Sequence, residues 1–474
     1  MKTAKRLLAG SVALIMALGM ASCGDGGSDN EGGSKNGFTE SQQKIVDGMI
    51  EKLPEGAKDS QKGKSIKWLA HYKINQDEIT DPALYMFKEV YGGSIVEQST
   101  TWENRYNDLA TGVMSGNGPD FFPADDMDTF PKGAIKNQFD PLDDYIDFDS
   151  DLWKESKAQS DAFKFNGKHY ICVIQTDPAY VCVYNPKTME DNGLDDPAEL
   201  FANDEWTWDK FAEYCKEFTN EDEDKYGLDG YWYNKAISES CGVPMITIDQ
   251  KTGLLKENMS DPNIEKVQNM MYELQKNNVV FPRADNDWKT RGSGANGEGL
   301  GSQLTLFIPI GLWALQDTPK NTKNFGNVEK GEIMFVPMPK APGSDKYYVS
   351  ARVNGYNLCH GAPNPEGFAA FMTCKRVAND NGGSEIFEEK LKNDYKWTDD
   401  MIEMRKTIYD LVLKNPVYDI QDGVSPELST IMQEVSQATM ITGGDATSWT
   451  KCRSANQKAI QWILNDSNKE IQSK

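Results

Sequence analysis

Histidine is scarce in this chain: His71, His169 and His360 are the only three among 474 residues. No Cys/His cluster and no CxxC spacing accompanies them, so the sequence offers no recognisable transition-metal or dithiol redox site. GxSxG, HExxH and P-loop signatures are missing too, which removes the commonest motif-bearing hydrolases and nucleotide enzymes. Positive charge is in short supply, with 50 basic against 73 acidic residues and a formal net charge of −23. That balance opposes binding to nucleic acid or to anionic lipid heads. No long apolar run follows the first twenty residues, so no transmembrane helix is expected beyond them.

The N-terminus is where the apolar run sits. Lys2, Lys5 and Arg6 precede an apolar stretch from Leu7 to Met20, followed by Ala21-Ser22-Cys23. A basic start, a short apolar core and small residues before the cut describe a secretory signal peptide over 1–22. Cys23, directly after Ala21-Ser22, resembles a bacterial lipobox, which implies cleavage before it and lipid on its thiol. Residues 23–37, largely Gly, Ser, Asp and Asn, cannot bury enough apolar surface to fold and read as a flexible tether. Loss of the leader takes the net charge to −26. The remaining length of about 450 residues suits two domains. Seven further cysteines, an odd number, lie inside apolar patterns such as Tyr170-Ile171-Cys172-Val173-Ile174 and read as buried free thiols.

Periodicity predicts alternating strands and helices. Ser65–Ala70 is a strand followed by a helix over 81–91; Gly93–Gln98 is a second strand followed by a helix over 102–114; Asp120–Phe122 is a third, short strand. Such alternation with short connections predicts a parallel sheet with helices on both faces. Ligands of such sheets sit beyond the carboxyl ends of the strands. The segments so marked are His71 to Ile79, Ser99 to Trp102 and Pro123 to Asp126.

From Tyr106 onward the chain repeats an ordered series of phrases. They are Tyr106-Asn107-Asp108-Leu109-Ala110 with Gly118-Pro119-Asp120, Pro141-Leu142-Asp143-Asp144-Tyr145-Ile146, Phe165-Asn166-Gly167-Lys168-His169-Tyr170, Val183-Tyr184-Asn185-Pro186 and Trp206-Thr207-Trp208-Asp209-Lys210-Phe211. This order resembles the extracellular solute-binding proteins of ABC transporters that carry sugars. The resemblance implies an α/β, two-lobed periplasmic-binding-protein-like fold of type II, each lobe a parallel-rich sheet flanked by helices, with a hinge and an interlobe cleft. It implies discontinuous lobes: 38–175 with 337–377, and 176–336 with 378–474. The implied function is a lipid-anchored extracytoplasmic receptor, acting as a monomer without cofactor, that captures a sugar and delivers it to membrane permease subunits.

A sugar presents apolar C–H faces and a rim of hydroxyls, so its site needs aromatic rings and a few placed polar groups. Trp313, in Pro309-Ile310-Gly311-Leu312-Trp313, is similar to the sugar-stacking tryptophan segment of maltose-binding members of the family. The resemblance also assigns an aromatic ligand contact to Trp449, after the Gly-rich turn 443–444, and a polar one to Asp125 and Asp126. Tyr231-Trp232-Tyr233 cannot all face a core, because strand side chains alternate; Trp232 is the ring expected to face outward. Trp102, His71 and Tyr72 follow the first-lobe strands, and Arg352 and Tyr356 follow the return crossover, where they would complete the wall.

Two motifs read as decoys. Gly292-Ser293-Gly294-Ala295-Asn296-Gly297 matches GxGxxG but follows no hydrophobic strand. Glu221-Asp222-Glu223-Asp224 lacks the ligand spacing of a calcium loop. The competing function is a secreted carbohydrate-active hydrolase, and the third reading is a receptor for peptide or another small solute. A hydrolase needs only two carboxylates roughly 5–10 Å apart. With 73 acidic residues such a pair is inevitable and decides nothing.

Overall fold

The computed structural model describes residues 37–74, 81–125, 127–282, 299–317, 325–440 and 445–473. Cys23 with the leader and tether, Asp126 and the glycine-rich 292–297 lie outside them. The described strands, in chain order, are β1 (Ser65–Ala70), β2 (Ser94–Ser99), β3 (Phe121–Pro123), β4 (Lys164–Phe165), β5 (Lys168–His169), β6 (Cys172–Pro178) and β7 (Val181–Tyr184). They continue with β8 (Tyr226–Leu228), β9 (Ile246–Asp249), β10 (Leu254–Glu257), β11 (Thr305–Ile310), β12 (Met334–Val336), β13 (Val349–Leu358) and β14 (Pro416–Val417).

The chain divides into two units, each assembled from three segments. The first holds the described residues up to Pro123 with Asn137–Lys154 and Tyr356–Gly383; the second holds Ala124–Lys136, Glu155–Gly355 and Ser384–Lys474. Residues 155–175 and 337–355, placed by the sequence with the first lobe, pack within the second unit. The reason is local: β6 pairs with the β13 residues of that unit, and Ala179 N–H donates to Ser350 O at 2.7 Å.

In the first unit β1 is central, flanked in parallel by β2, from Ser65↔Ser94 to Ala70↔Ser99, and by β3 at Trp68↔Phe121. The last residues of β13 close the other edge, antiparallel to β3. Helices Pro82–Glu89 and Arg105–Met114 supply the crossovers, within a few residues of their expected bounds. Trp68, Phe87, Phe121 and Phe371 are almost fully buried and fill this unit's core. Asp120 ties the layers together: its carboxylate accepts from Lys67 N–H at 2.7 Å and from Asn364 N–H at 2.6 Å.

The second unit carries a mixed sheet, β12–β7–β11–β8, with β11 antiparallel to β7 and parallel to β8. The parallel-rich description fits the first unit and not this one, because β12 also lies antiparallel to β7. Val181–Tyr184 and Thr305–Ile310 are buried at every position, as strands covered on both faces must be. The Phe165-Asn166-Gly167-Lys168 phrase is the β4–β5 hairpin. Asn166 and Gly167 both take positive φ, 48° and 77°, the turn that Asn-Gly favours.

Six helices share one start signal, an Asp, Asn or Ser followed by Pro. Asp81, Asn185, Asp196, Asp261, Asn364 and Ser425 each cap a helix whose first residue is proline. The cap oxygen satisfies one orphan N–H, and proline has no N–H left to satisfy. The seven described cysteines are all buried and free, as the apolar patterns around them predicted.

Candidate functional site

Each unit carries its own group of aromatic residues at the ends of its strands. In the first unit β1 ends at Ala70, and His71 and Tyr72 follow, exposed and half-buried. The His71 ring stands edge-on to Tyr72, centroids 5.0 Å apart, and to Trp102 at 5.1 Å. Trp102 in turn is covered by the Arg105 guanidinium, 3.4 Å from its ring centroid, and Arg105 also donates to the Trp102 carbonyl. Arg105 is itself 6% exposed, so the indole is pinned by a largely desolvated cation. The Trp68 indole donates to Tyr72 O at 3.3 Å, fixing the backbone where strand becomes loop. Thus His71, Tyr72 and Trp102, three of the candidate residues, come together, with Arg105 as a partner the sequence did not foresee.

Tyr356 behaves differently. It is 8% exposed and packs edge-on against Trp68 at 5.7 Å, within this unit's core.

The second unit brings together Trp232 and Trp313. Trp232 follows Gly230, whose φ of +116° only glycine adopts easily, and begins the helix Tyr233–Glu239. Its indole lies nearly parallel to Tyr180, 6.3 Å away at 25°, and perpendicular to Trp313, 6.0 Å away at 82°. Trp313 stands after β11 and is 38% exposed, a large ring left partly open to solvent. Gly311 makes room for it: a Cβ there would lie 2.4 Å from the Trp313 Nε1. Two rings meeting at a right angle, one half-open, form a corner suited to a flat, partly apolar solute.

Polar groups converge beside that corner. Asp177 accepts from Gln175 Nε2 at 2.6 Å. Burial pushes its carboxyl up, while the nearby Arg352, Gln175, Tyr409 and Arg405 draw it down. Arg352 therefore sits in a charged group with Asp177, Tyr180 and Tyr409. Also within the field of Tyr180, the Lys235 ammonium lies 3.9 Å from Glu239 Oε1 and 3.8 Å from Asp422 Oδ2. Burial raises the Glu239 carboxyl to about 7 and that of Asp419 to about 6, with Lys235 opposing both shifts. Sequence reasoning missed Tyr180, Lys235, Glu239, Asp419 and Asp422. The i,i+4 pair Lys235/Glu239 directly after Tyr231-Trp232-Tyr233 was the available signal; nothing local marked Asp419 or Asp422.

Trp449 is not among these exposed rings. It opens the helix Trp449–Gln472 and is wholly buried in the second unit's core. Asp125 lies half-buried on the turn after Ala124, whose N–H donates to Gly355 O at 3.0 Å. The acidic Glu221–Glu223 turn is a 3-10 turn capped by Asn220, with Lys225 on Glu223 at 2.7 Å and Asn278 on Glu221 at 3.0 Å. Among the described residues no group of three or more His, Cys, Asp or Glu is placed to hold a metal.

Comparison with known proteins agrees with this architecture. The chain is similar to the cyclic α-maltosyl-1,6-maltose binding protein of Arthrobacter globiformis, at 12% identity and a TM-score of 0.62 over 85% of this chain and 99% of that one. It is similar to an ABC substrate-binding protein of Listeria monocytogenes solved with cycloalternan, at 16% identity and a TM-score of 0.58 over 86% and 99%. A solute-binding protein of Thermotoga lettingae bound to α-D-tagatose gives 17% identity and a TM-score of 0.59 over 86% and 100%. At such identities these likenesses establish the α/β solute-binding-protein fold. No curated protein sequence matches the chain. The family described as bacterial extracellular solute-binding protein matches residues 84–380, more than half the chain, and its members bind solutes rather than transform them. With a match of that extent, the chain belongs to the bacterial extracellular solute-binding protein family.

Proposed function

We propose that this protein captures a sugar, an oligosaccharide in the first instance, outside the cytoplasm and hands it to the permease subunits of an ABC importer. The observation that carries this reading is the Trp232–Trp313 corner, with Tyr180 stacked beneath Trp232 and Trp313 half-exposed. Aromatic faces cover sugar C–H surfaces, and ionised side chains bind hydroxyls more strongly than neutral ones. Trp313, Trp232, Trp102, His71, Tyr72, Asp125 and Arg352 are the proposed contacts from the sequence, joined by Tyr180 and Lys235. Trp449 and Tyr356 act from the core instead, supporting the elements that carry those contacts. The sugars named for similarly folded proteins support this choice.

Capture shifts the population of conformers only by the solute's differential affinity for the form that holds it. Trp313→Ala is expected to weaken sugar binding by roughly 2–4 kcal/mol, the range of a central anchor, as read by titration calorimetry. Unchanged affinity in a folded variant would remove Trp313 from the site. The leader and Cys23 support attachment to the outer face of the membrane through lipid, a palmitate-bearing lipoprotein working as a monomer. Cys23→Ser is expected to release the protein from the membrane fraction; retention there would refute the anchor.

A further inference from the structure

Beside the Tyr180–Trp232 stack lies a charge imbalance. Glu239, Asp419 and Asp422 converge on one ammonium, that of Lys235. Arg352 acts on Asp177 and Tyr409 as well as on Tyr180. Lys132 reaches the same segment but donates to the Asp422 main-chain carbonyl, at 3.2 Å. The three acids are not equally occupied. Asp422 Oδ1 accepts from Ser429 Oγ at 2.6 Å, and Asp419 Oδ1 accepts from Gln421 N–H at 3.0 Å. Glu239 Oε1 is buried without a hydrogen-bond partner; the side chain is 7% exposed. Ser350 Oγ faces it but closes no bond of good geometry. A buried carboxylate oxygen left in this state costs free energy unless a donor arrives.

That donor has a way in. Lys235 is 25% exposed and Asp422 39%, so the cluster opens to solvent. Tyr180 belongs to both groups, stacking on Trp232 and sharing the field of Lys235, Glu239 and Asp422. A neutral hydroxyl would satisfy one lone pair and leave the charge imbalance; an ammonium would satisfy both. The net charge of −23 further draws cations towards the protein.

We propose that the preferred solute is a sugar bearing a basic amine, whose ammonium completes the charge of Glu239, Asp419 and Asp422 while its ring lies against the Trp232 corner. This deepens the sugar-receptor reading and rests on it. The test is titration calorimetry of the purified protein at neutral pH with three tetramers: β-1,4-glucosamine tetramer, its N-acetylated form, and maltotetraose. The amine tetramer should bind at least about tenfold more tightly than either neutral one, the worth of one charge-assisted contact. Glu239→Gln and the more exposed Asp422→Asn should each shrink that ratio towards one. Equal or weaker binding of the amine tetramer, or a ratio untouched in both variants, overturns the proposal. Binding of a neutral tetramer alone overturns it while leaving the sugar reading standing. Failure of all three also overturns it, and a wider panel of neutral sugars then decides the sugar reading by itself.

Discussion

At the scale of single residues, local chemistry made some roles readable and hid others. Trp313 and Trp232 were legible as candidates, the first through the resemblance and the second because three successive aromatic residues cannot all face a core. Gly311 and Gly230 supply the space and the backbone angle those rings require. Trp449 shows the opposite case. A tryptophan after a glycine-rich turn reads the same in sequence whether it faces solute or core, and burial decides only once the helix Trp449–Gln472 packs. The acids around Lys235 were hidden because Asp419 and Asp422 lie some 180 residues from it in the chain. Their burial predicts a pH effect. Glu239 has a folded value near 7, above its ordinary 4.5, so the folded state holds the proton more tightly than the unfolded one. Its contribution to stability is therefore full below about 4.5 and lost as pH rises through 7. Asp419 acts in the same direction over a window ending near 6. Denaturant titrations at about pH 5 and pH 8 should show the protein less stable at the higher pH, with a smaller difference in Glu239→Gln. An identical difference in that variant would remove Glu239 from the account.

At the scale of elements, the sequence was most legible where strong local signals agreed. The strand β1 falls at Ser65–Ala70 as expected, and the helix Pro262–Lys276 starts where Asp261-Pro262 says it must. Cap-plus-proline starts are explicit because the cap oxygen and the missing proline N–H are both local properties. Asn364 does more than cap. Its Oδ1 accepts from Gly367 N–H at 3.0 Å, its Nδ2 reaches Gln61 Oε1 at 3.2 Å, and its N–H binds Asp120. Asn364→Ala should therefore cost about 1–2 kcal/mol or somewhat more, the upper range of a lost cap with a buried partner left behind. A shift in the urea midpoint reads it; a change below about 0.5 kcal/mol would mean the network bears no weight. Sheet direction was less legible. That β7 lies antiparallel to both β11 and β12 depends on pairing between segments far apart in the chain, and no hydrophobic pattern records that.

At the scale of the whole molecule, a division into two discontinuous units was anticipated only through resemblance, with two segments per lobe where the structure has three per unit. Periodicity within a window cannot tell which distant segments share a core. Residues 155–175 and 337–355 illustrate this, since their pairing to β13 and β14 outweighs their position in the chain. The family membership states that a solute is bound; the aromatic corners argue for a sugar. The measurement that tests this most directly is a thermal-shift panel of mono- and oligosaccharides, neutral and amine-bearing, with peptides and metal ions as controls. A bound sugar at a hundred times its dissociation constant should stabilise the protein by about 2.7 kcal/mol, a clear rise in melting temperature, with no consumption of the sugar over hours. Stabilisation by peptides or metal ions and by no sugar would contradict the account.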